Sequence, residues 1–409
     1  MLSPQIVEGL VKDRAAWPRA QVSLVLLVLD GVGDIHHPDF GMRTPLEAAR
    51  TPNLDDLARR SALGRIIPVD HGITPGSGPA HLGLFGYDPR QVEIGRGVLE
   101  AVGLDMDLRG GDVAARANFC TLRDGIVVDR RAGRPATEVS AQKVGLLQQN
   151  VRRIEDVEVI LRAGKEHRFA AIFRGEGLAE GVSDTDPHEN GEPIRKAEAL
   201  RPEAAKIARI VNEFHRRAQE VLAGQEPLNA VLMRGLAALP HIPSMEQRLK
   251  LRSCAVAAYP MYRGLARLAG MKVLEAGPTA EEAFRAYARN KDRFDFCFIH
   301  VKGTDAAGED GDFDRKVGVI EEVDGALPII LGARPEALAI TGDHSTPCCM
   351  RLHSWHPVPL LLHSPRCDAG GQGRFTERDC QAGALGTFLS MHLMSLLMAH
   401  AGLLDKFGA

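Results

Sequence analysis

The tetrapeptide Thr341-Gly342-Asp343-His344 follows the apolar run Ala337 to Ile340, and Asp30 closes another apolar run, Val22 to Leu29, just before Gly31. Carboxylates at the carboxyl ends of two buried strands sit at the rim of an open α/β sheet, where charge is tolerated and ligand chemistry is usually built. With His344 attached, the pair reads as a metal site. A second acidic group, in His300-Val301-Lys302-Gly303-Thr304-Asp305-Ala306-Ala307-Gly308-Glu309-Asp310, follows the apolar run Phe294 to Ile299. Asp305 and Glu309 are spaced i, i+4, so a helical turn would put both carboxylates on one face. His353-Ser354-Trp355-His356-Pro357 adds imidazoles ahead of the run Leu360 to Leu362. The loop Thr74-Pro75-Gly76-Ser77-Gly78-Pro79 supplies a hydroxyl. Pro79 suits the first turn of a helix, which would place Ser77 near free backbone N–H groups where a phosphate is favoured. Taken singly, these segments also read as a solvated acidic turn, a polar loop and a tight turn; together they supply ligands for two metal ions at one sheet rim.

Such a rim needs strands to carry it. Strand-like and helical patterns alternate at both ends of the chain: Val22 to Leu29, Thr51 to Ala62, Phe294 to Val301, Asp314 to Asp324 and Ala337 to Thr341. This is the βαβ rhythm of a mostly parallel sheet covered by helices. The middle differs, with short strand-like pieces, the Arg-rich turn Asp129-Arg130-Arg131-Ala132-Gly133-Arg134 and a polar loop from Ser183 to Pro193. It reads as a second, smaller α/β domain, residues 107–244, inserted into a core made of residues 1–106 and 245–409.

The 409 residues exceed one ordinary core, and the formal net charge of -3 argues against a nucleic-acid binder. Seven Cys without CxxC spacing point to reduced thiols and a cytoplasmic setting. The first twenty residues show no secretion signal. Leu385 to Leu404 is the one membrane-span candidate, but Thr387, Ser390, His392, Ser395 and His400 interrupt it, so it reads as a buried C-terminal helix. No membrane partner is expected, and the oligomeric state is left open.

These motifs carry a family resemblance. Leu29-Asp30-Gly31, Thr51 to Asp55, Gly72 to Pro89, Gly95 to Gly103, Asp129 to Arg134, Asp184 to His188, His300 to Asp312, Thr341 to His344 and His353 to Pro359 occur in family order over nearly the whole chain. The chain resembles the cofactor-independent phosphoglycerate mutases of the alkaline phosphatase superfamily, in particular the archaeal-type branch also found in bacteria. The resemblance implies an alkaline-phosphatase-like core and interconversion of 2- and 3-phosphoglycerate through phosphoserine at Ser77. It also implies two divalent ions, one held by Asp30, Asp343 and His344 with the Ser77 oxygen, the other by Asp305, His353 and the residue at 309. Manganese fits this mixed carboxylate and imidazole set, with zinc, magnesium or cobalt as alternatives.

The sequence departs from the family motif at Glu309, where the family has histidine. Glutamate still binds a divalent ion through oxygen and tilts the preference toward manganese or magnesium; Asp310 is a stand-in ligand. The resemblance implies that the inserted domain closes over the site to exclude water. That domain should supply arginines for a small phosphorylated acid: Arg130, Arg131 and Arg134 first, then Arg116, Arg174, Arg234 and Arg263. Asn53 and Lys302 adjoin motifs and are candidate phosphate or acid–base contacts, and His81, which could face the substrate or pack, is left outside the catalytic set. A related phosphotransferase or phosphomonoesterase, and a binding protein with an impaired metal site, are the competing readings.

Overall fold

The apolar run ahead of Asp30 forms the strand Leu24–Leu29, and all of its residues are buried. A continuous Leu/Val run specifies burial on both faces, because a strand wet on one side would alternate with polar residues. It lies between Phe296–Val301 and Ala337–Thr341 and pairs with both in parallel. The three carboxyl ends therefore share one edge of the sheet. Truncating the fully buried Leu26 to alanine would cost about 2–5 kcal/mol.

The computed structural model describes residues 4–18, 22–92, 94–240, 242–370 and 373–408. Its contacts divide into two units, Met1–Glu93 with Ile242–Ala409, and Ile94–His241. In the first, an eight-stranded sheet runs in the order Lys272–Val273, Ser253–Val256, Phe296–Val301, Leu24–Leu29, Ala337–Thr341, Val358–His363, Ala62–Ile67, Gly386–Leu389. Val358–His363 is antiparallel to both its neighbours, and the other pairs are parallel. The helix expected over Asp314 to Asp324 is longer, Phe313–Gly332, and packs against Ala280–Asn290.

One sequence expectation is corrected here. Leu385 to Leu404 is not one helix: Gly386–Leu389 is a strand, Ser390–His392 a 3-10 turn, and Leu393–Ala401 the helix. Gly386, at φ 64°, turns the chain onto the open edge of Ala62–Ile67, and Ser390 Oγ donates to the Pro68 carbonyl at 2.7 Å. Pairing an open strand edge outweighs local helix propensity. Among the described residues no helix is long and apolar enough to cross a membrane. The second unit starts at Ile94, where the sequence reading has the insert start at residue 107. The helix Arg96–Gly103 packs so closely on Val113–Arg123 that a Cβ on Gly97 would lie 2.2 Å from the Ala114 carbonyl oxygen.

The second unit is built on antiparallel pairing throughout. Its six strands, Ile126–Asp129, Val113–Arg123, Arg168–Arg174, Val157–Ala163, Arg153–Ile154 and Ala230–Ala238, form one sheet in which the last also pairs with Val113–Arg123. Thr137–Asn150 and Ala205–Val221 are its longer helices, and Phe214 meets Phe173 edge-on at 5.9 Å in the core.

In the first unit a buried lysine ties two rim loops together. Lys316 Nζ donates to the Gly33 carbonyl at 3.2 Å, Asp34 Oδ2 at 2.9 Å and the Thr346 carbonyl at 2.9 Å. All three ammonium hydrogens thus have acceptors, which a fully buried charge requires. The loop after Asp30 and the loop after Asp343 are held in fixed relation.

Candidate metal centre and nucleophile

Asp30, Asp343 and His344 are fully buried at the shared strand edge. Asp30 Oδ1, Asp343 Oδ2 and His344 Nε2 have no hydrogen-bond partner. His344 Nε2 lies 3.3 Å from each of the two carboxylate oxygens. Burying these carboxylate and imidazole atoms without hydrogen-bond partners is costly unless a cation joins them. One ligand atom from each residue lies within 4.8 Å of the others, as do atoms of Asp305, His344 and His353.

Hydrogen bonds fix the histidine tautomers. His353 Nδ1 lies 3.0 Å from the Pro75 carbonyl, which only accepts, so Nδ1 carries the hydrogen and Nε2 is left as a lone pair. Thr346 Oγ1 donates to Asp305 Oδ1 at 2.7 Å, so the 3.0 Å contact with His344 Nδ1 must be donated by the imidazole. Both cation-facing histidines therefore turn Nε2 toward the carboxylates, as metal ligands braced by an outer hydrogen bond do. The donor set fits divalent ions.

Electrostatics agree. Burial disfavours ionised Asp30, yet the nearby His300 and His344 imidazoles and the Lys302 charge hold it well below the usual carboxylate range. Burial and the Asp30 charge push Asp343 well above it. Burial lowers His344, but Asp343 and Asp30 outweigh that and raise it to about 9. Protons occupy places that a cation would take.

Ser77 opens the helix Ser77–Leu84, with Gly76 as a cap that offers no side-chain bond to the first amides. The free N–H groups favour an anion. Tyr262, whose phenol is raised well above its usual range by burial and the Asp30 charge, donates its hydroxyl to Asp30 Oδ2. His81 is fully buried, its Nδ1 2.8 Å from the Ser77 carbonyl and 3.3 Å from Asp343 Oδ2, and burial with the His300 charge lowers it to about 3. It thus borders the cluster as a neutral ring. Lys302 lies 3.1 Å from Asp30 Oδ2 and also donates to Asp305; burial opposes its charge, but these carboxylates raise it.

Other candidates fall outside. Glu309 is half exposed, with Oε1 4.0 Å from His353 Nε2, and His344 takes its place in the tight group with Asp305 and His353. Asp310 pairs with Arg315 at 2.7 Å. Asn53 Nδ2 donates to Asp324 Oδ2 at 3.0 Å and so ties the helix Pro52–Arg59 to Phe313–Gly332. Arg263 pairs with Glu275 at 3.3 Å.

The second unit holds an anion-binding candidate of its own. A cavity of about 100 Å³ is lined by Arg116, Asn118, Arg130, Arg131, His167, Arg168 and Arg234. Nε of Arg116, Arg168 and Arg234 is buried without a partner. Burial lowers Arg116, and the Arg168 and Arg234 charges add to that. Clustered guanidinium groups with unmet donors are suited to a carboxylate or phosphate. Within the expected DRRAGR set, Arg130 forks onto Asp186 with both bonds 2.7 Å, Arg131 reaches the cavity, and Arg134 lies exposed outside its lining. Arg174 pairs with Asp112 at 2.8 Å.

Sequence reasoning passed over Tyr262, His167 and Arg168 and ranked Arg116 and Arg234 low. An aromatic in the helix Pro260–Leu268 looks like core packing, and isolated arginines on strands look like surface.

A sheet rim with paired buried carboxylates, braced histidines and a helix-opening serine defines a metal-binding α/β protein with a candidate hydroxyl nucleophile. Residues 58–229 match the 2,3-bisphosphoglycerate-independent phosphoglycerate mutase family. A probable 2,3-bisphosphoglycerate-independent phosphoglycerate mutase of Thermotoga neapolitana is 52% identical over 386 residues, 94% of this chain and 96% of the relative. One of the same description from Thermus thermophilus is 52% identical over 390 residues, 94% and 96% of the two chains. The structure of a cofactor-independent phosphoglycerate mutase from Thermoplasma acidophilum superposes with a TM-score of 0.74 at 31% identity, covering 93% of this chain and 100% of that one. The chain belongs to the 2,3-bisphosphoglycerate-independent phosphoglycerate mutase family.

Proposed function

We propose that this chain interconverts 2-phosphoglycerate and 3-phosphoglycerate, passing the phosphoryl group through Ser77. The observation that carries the reading is the placing of Ser77 beside the carboxylate–histidine cluster, with His81 Nδ1 2.8 Å from the Ser77 carbonyl and 3.3 Å from Asp343 Oδ2. Ser77 Oγ attacks phosphorus; the Oγ–P bond forms as the bond from phosphorus to the glycerate oxygen breaks, and that oxygen takes up the proton Ser77 gave up. The other glycerate hydroxyl then attacks the phosphoserine and its proton returns to Ser77.

Divalent ions at Asp30, Asp343 and His344 and at Asp305 and His353, with Glu309 at the margin of the second set, would, when bound, neutralise charge on the phosphoryl and attacking oxygens. Manganese suits these donors, and the carboxylate of Glu309 favours manganese or magnesium over zinc. The arginine cavity is the second anion-recognition element and supports a substrate carrying both carboxylate and phosphate. Arg131, Arg116, Arg168 and Arg234 are its working members, and Arg130 is fixed by Asp186. Seven free cysteines support a reducing, cytoplasmic setting.

The test is phosphorus NMR of purified protein with 3-phosphoglycerate and manganese, without 2,3-bisphosphoglycerate. Appearance of 2-phosphoglycerate with little free phosphate is expected, and Ser77→Ala should lower the rate by on the order of 10⁴. Release of free phosphate alone would make the chain a phosphomonoesterase.

A further inference from the structure

The two oxygens of Asp30 have different surroundings. Oδ2 accepts from the Tyr262 hydroxyl and lies 3.1 Å from Lys302 Nζ and 3.2 Å from His300 Nε2. Oδ1 is buried without a hydrogen-bond partner and faces His344 Nε2 at 3.3 Å. The Tyr262 ring is buried, stacked on His300 at 3.7 Å with 27° between planes, and 4.8 Å from His81. Its position is set by packing on both rings, independently of the hydroxyl.

The Tyr262 hydroxyl has one hydrogen, and a carboxylate only accepts, so that hydrogen belongs to Asp30. Lys302 cannot substitute fully, because its ammonium is shared with Asp305.

We propose that Tyr262 is a positioning residue for phosphoryl transfer: its hydroxyl holds Asp30 with Oδ1 toward the cation group. Removing the hydroxyl frees the carboxylate to rotate. The expected change in kcat rests on the proposed mutase function; the expected change in cation affinity does not.

Tyr262→Phe keeps both ring contacts and deletes only the hydroxyl. Manganese binding, followed by electron paramagnetic resonance of the free ion, should weaken about 10–100-fold, the usual effect of losing an outer hydrogen bond to a ligand. At saturating manganese, kcat for 3-phosphoglycerate should fall about 10–100-fold with KM within about twofold. The melting midpoint of metal-free protein should stay within about 2 °C. The same titration in a Ser77→Ala background should show the same loss of affinity, which separates this test from the mutase activity itself. If wild-type protein has no mutase activity but the titrations behave as stated, the Asp30 role stands and the mutase reading falls. Unchanged manganese affinity with unchanged kcat, or a general loss in which the metal-free midpoint drops by several degrees and KM rises with the fall in kcat, would overturn the proposal.

Discussion

The imidazoles of His344 and His353 lie face to face, ring centroids 3.6 Å apart and 24° between planes, although one follows the strand Ala337–Thr341 and the other precedes Val358–His363. Each has Nδ1 engaged and Nε2 turned toward carboxylates. His344, raised to about 9 by Asp343 and Asp30 against the effect of burial, holds a proton at neutral pH that a divalent ion must displace.

Manganese uptake should therefore release protons, and affinity should rise roughly tenfold per pH unit from neutrality up to about 9. Calorimetry in buffers of different ionisation heat reads the release directly. Binding heats that do not depend on the buffer would rule out competition between the His344 proton and the cation.

Glu309→His should retain or raise activity with manganese and shift relative affinity from magnesium toward zinc by about tenfold, because imidazole is the softer donor. Metal titration by inductively coupled plasma analysis after dialysis checks it. A metal-free, inactive variant would mean the glutamate has a task of its own.

The strands carrying Asp30 and Asp343 were legible because a run buried on both faces must end where polar side chains become tolerable, and chain order alone marks that point. The arginine cavity was not. Arg116 stands opposite Arg234, and Asn118 opposite Arg168, only through antiparallel register between segments far apart in the chain. Spacing along the sequence contains no trace of that pairing, so the compact DRRAGR cluster drew attention while Arg130 was bound to Asp186. The C-terminal run misled for a related reason: its Leu and Met residues suit a helix, and the edge of Ala62–Ile67 that claims Gly386–Leu389 is invisible locally.

Arg234→Met should raise KM for 3-phosphoglycerate about 10–100-fold, the equivalent of one charge-assisted hydrogen bond, with little change in melting temperature. Asp184 and Asp186 lie 3.9 Å and 3.7 Å from its Nε, too far to hydrogen-bond it, so the guanidinium is available. Steady-state kinetics decide; an unaltered KM would remove Arg234 from substrate recognition.

Burial pushes His215, in the core of the second unit, down to about 4 from its ordinary 6.5. The unfolded chain takes the proton first on acidification, so this contribution is complete above 6.5 and is lost as pH falls toward about 4. At about pH 5 the loss is roughly 2 kcal/mol. Urea melts at about pH 5 and pH 7.5 should differ accordingly, and His215→Phe should flatten the difference. An equal slope in the variant would assign the acid sensitivity elsewhere.

Lys316 gives its three hydrogens to the Gly33 carbonyl, Asp34 and the Thr346 carbonyl, and so has no nucleophilic lone pair to offer while both rim loops are in place. Amine-reactive reagents will modify the exposed lysines of the folded protein and bypass this one. Acylation at Lys316, read by peptide mass, becomes a built-in clock for how often the two loops that carry the ligand cluster come apart.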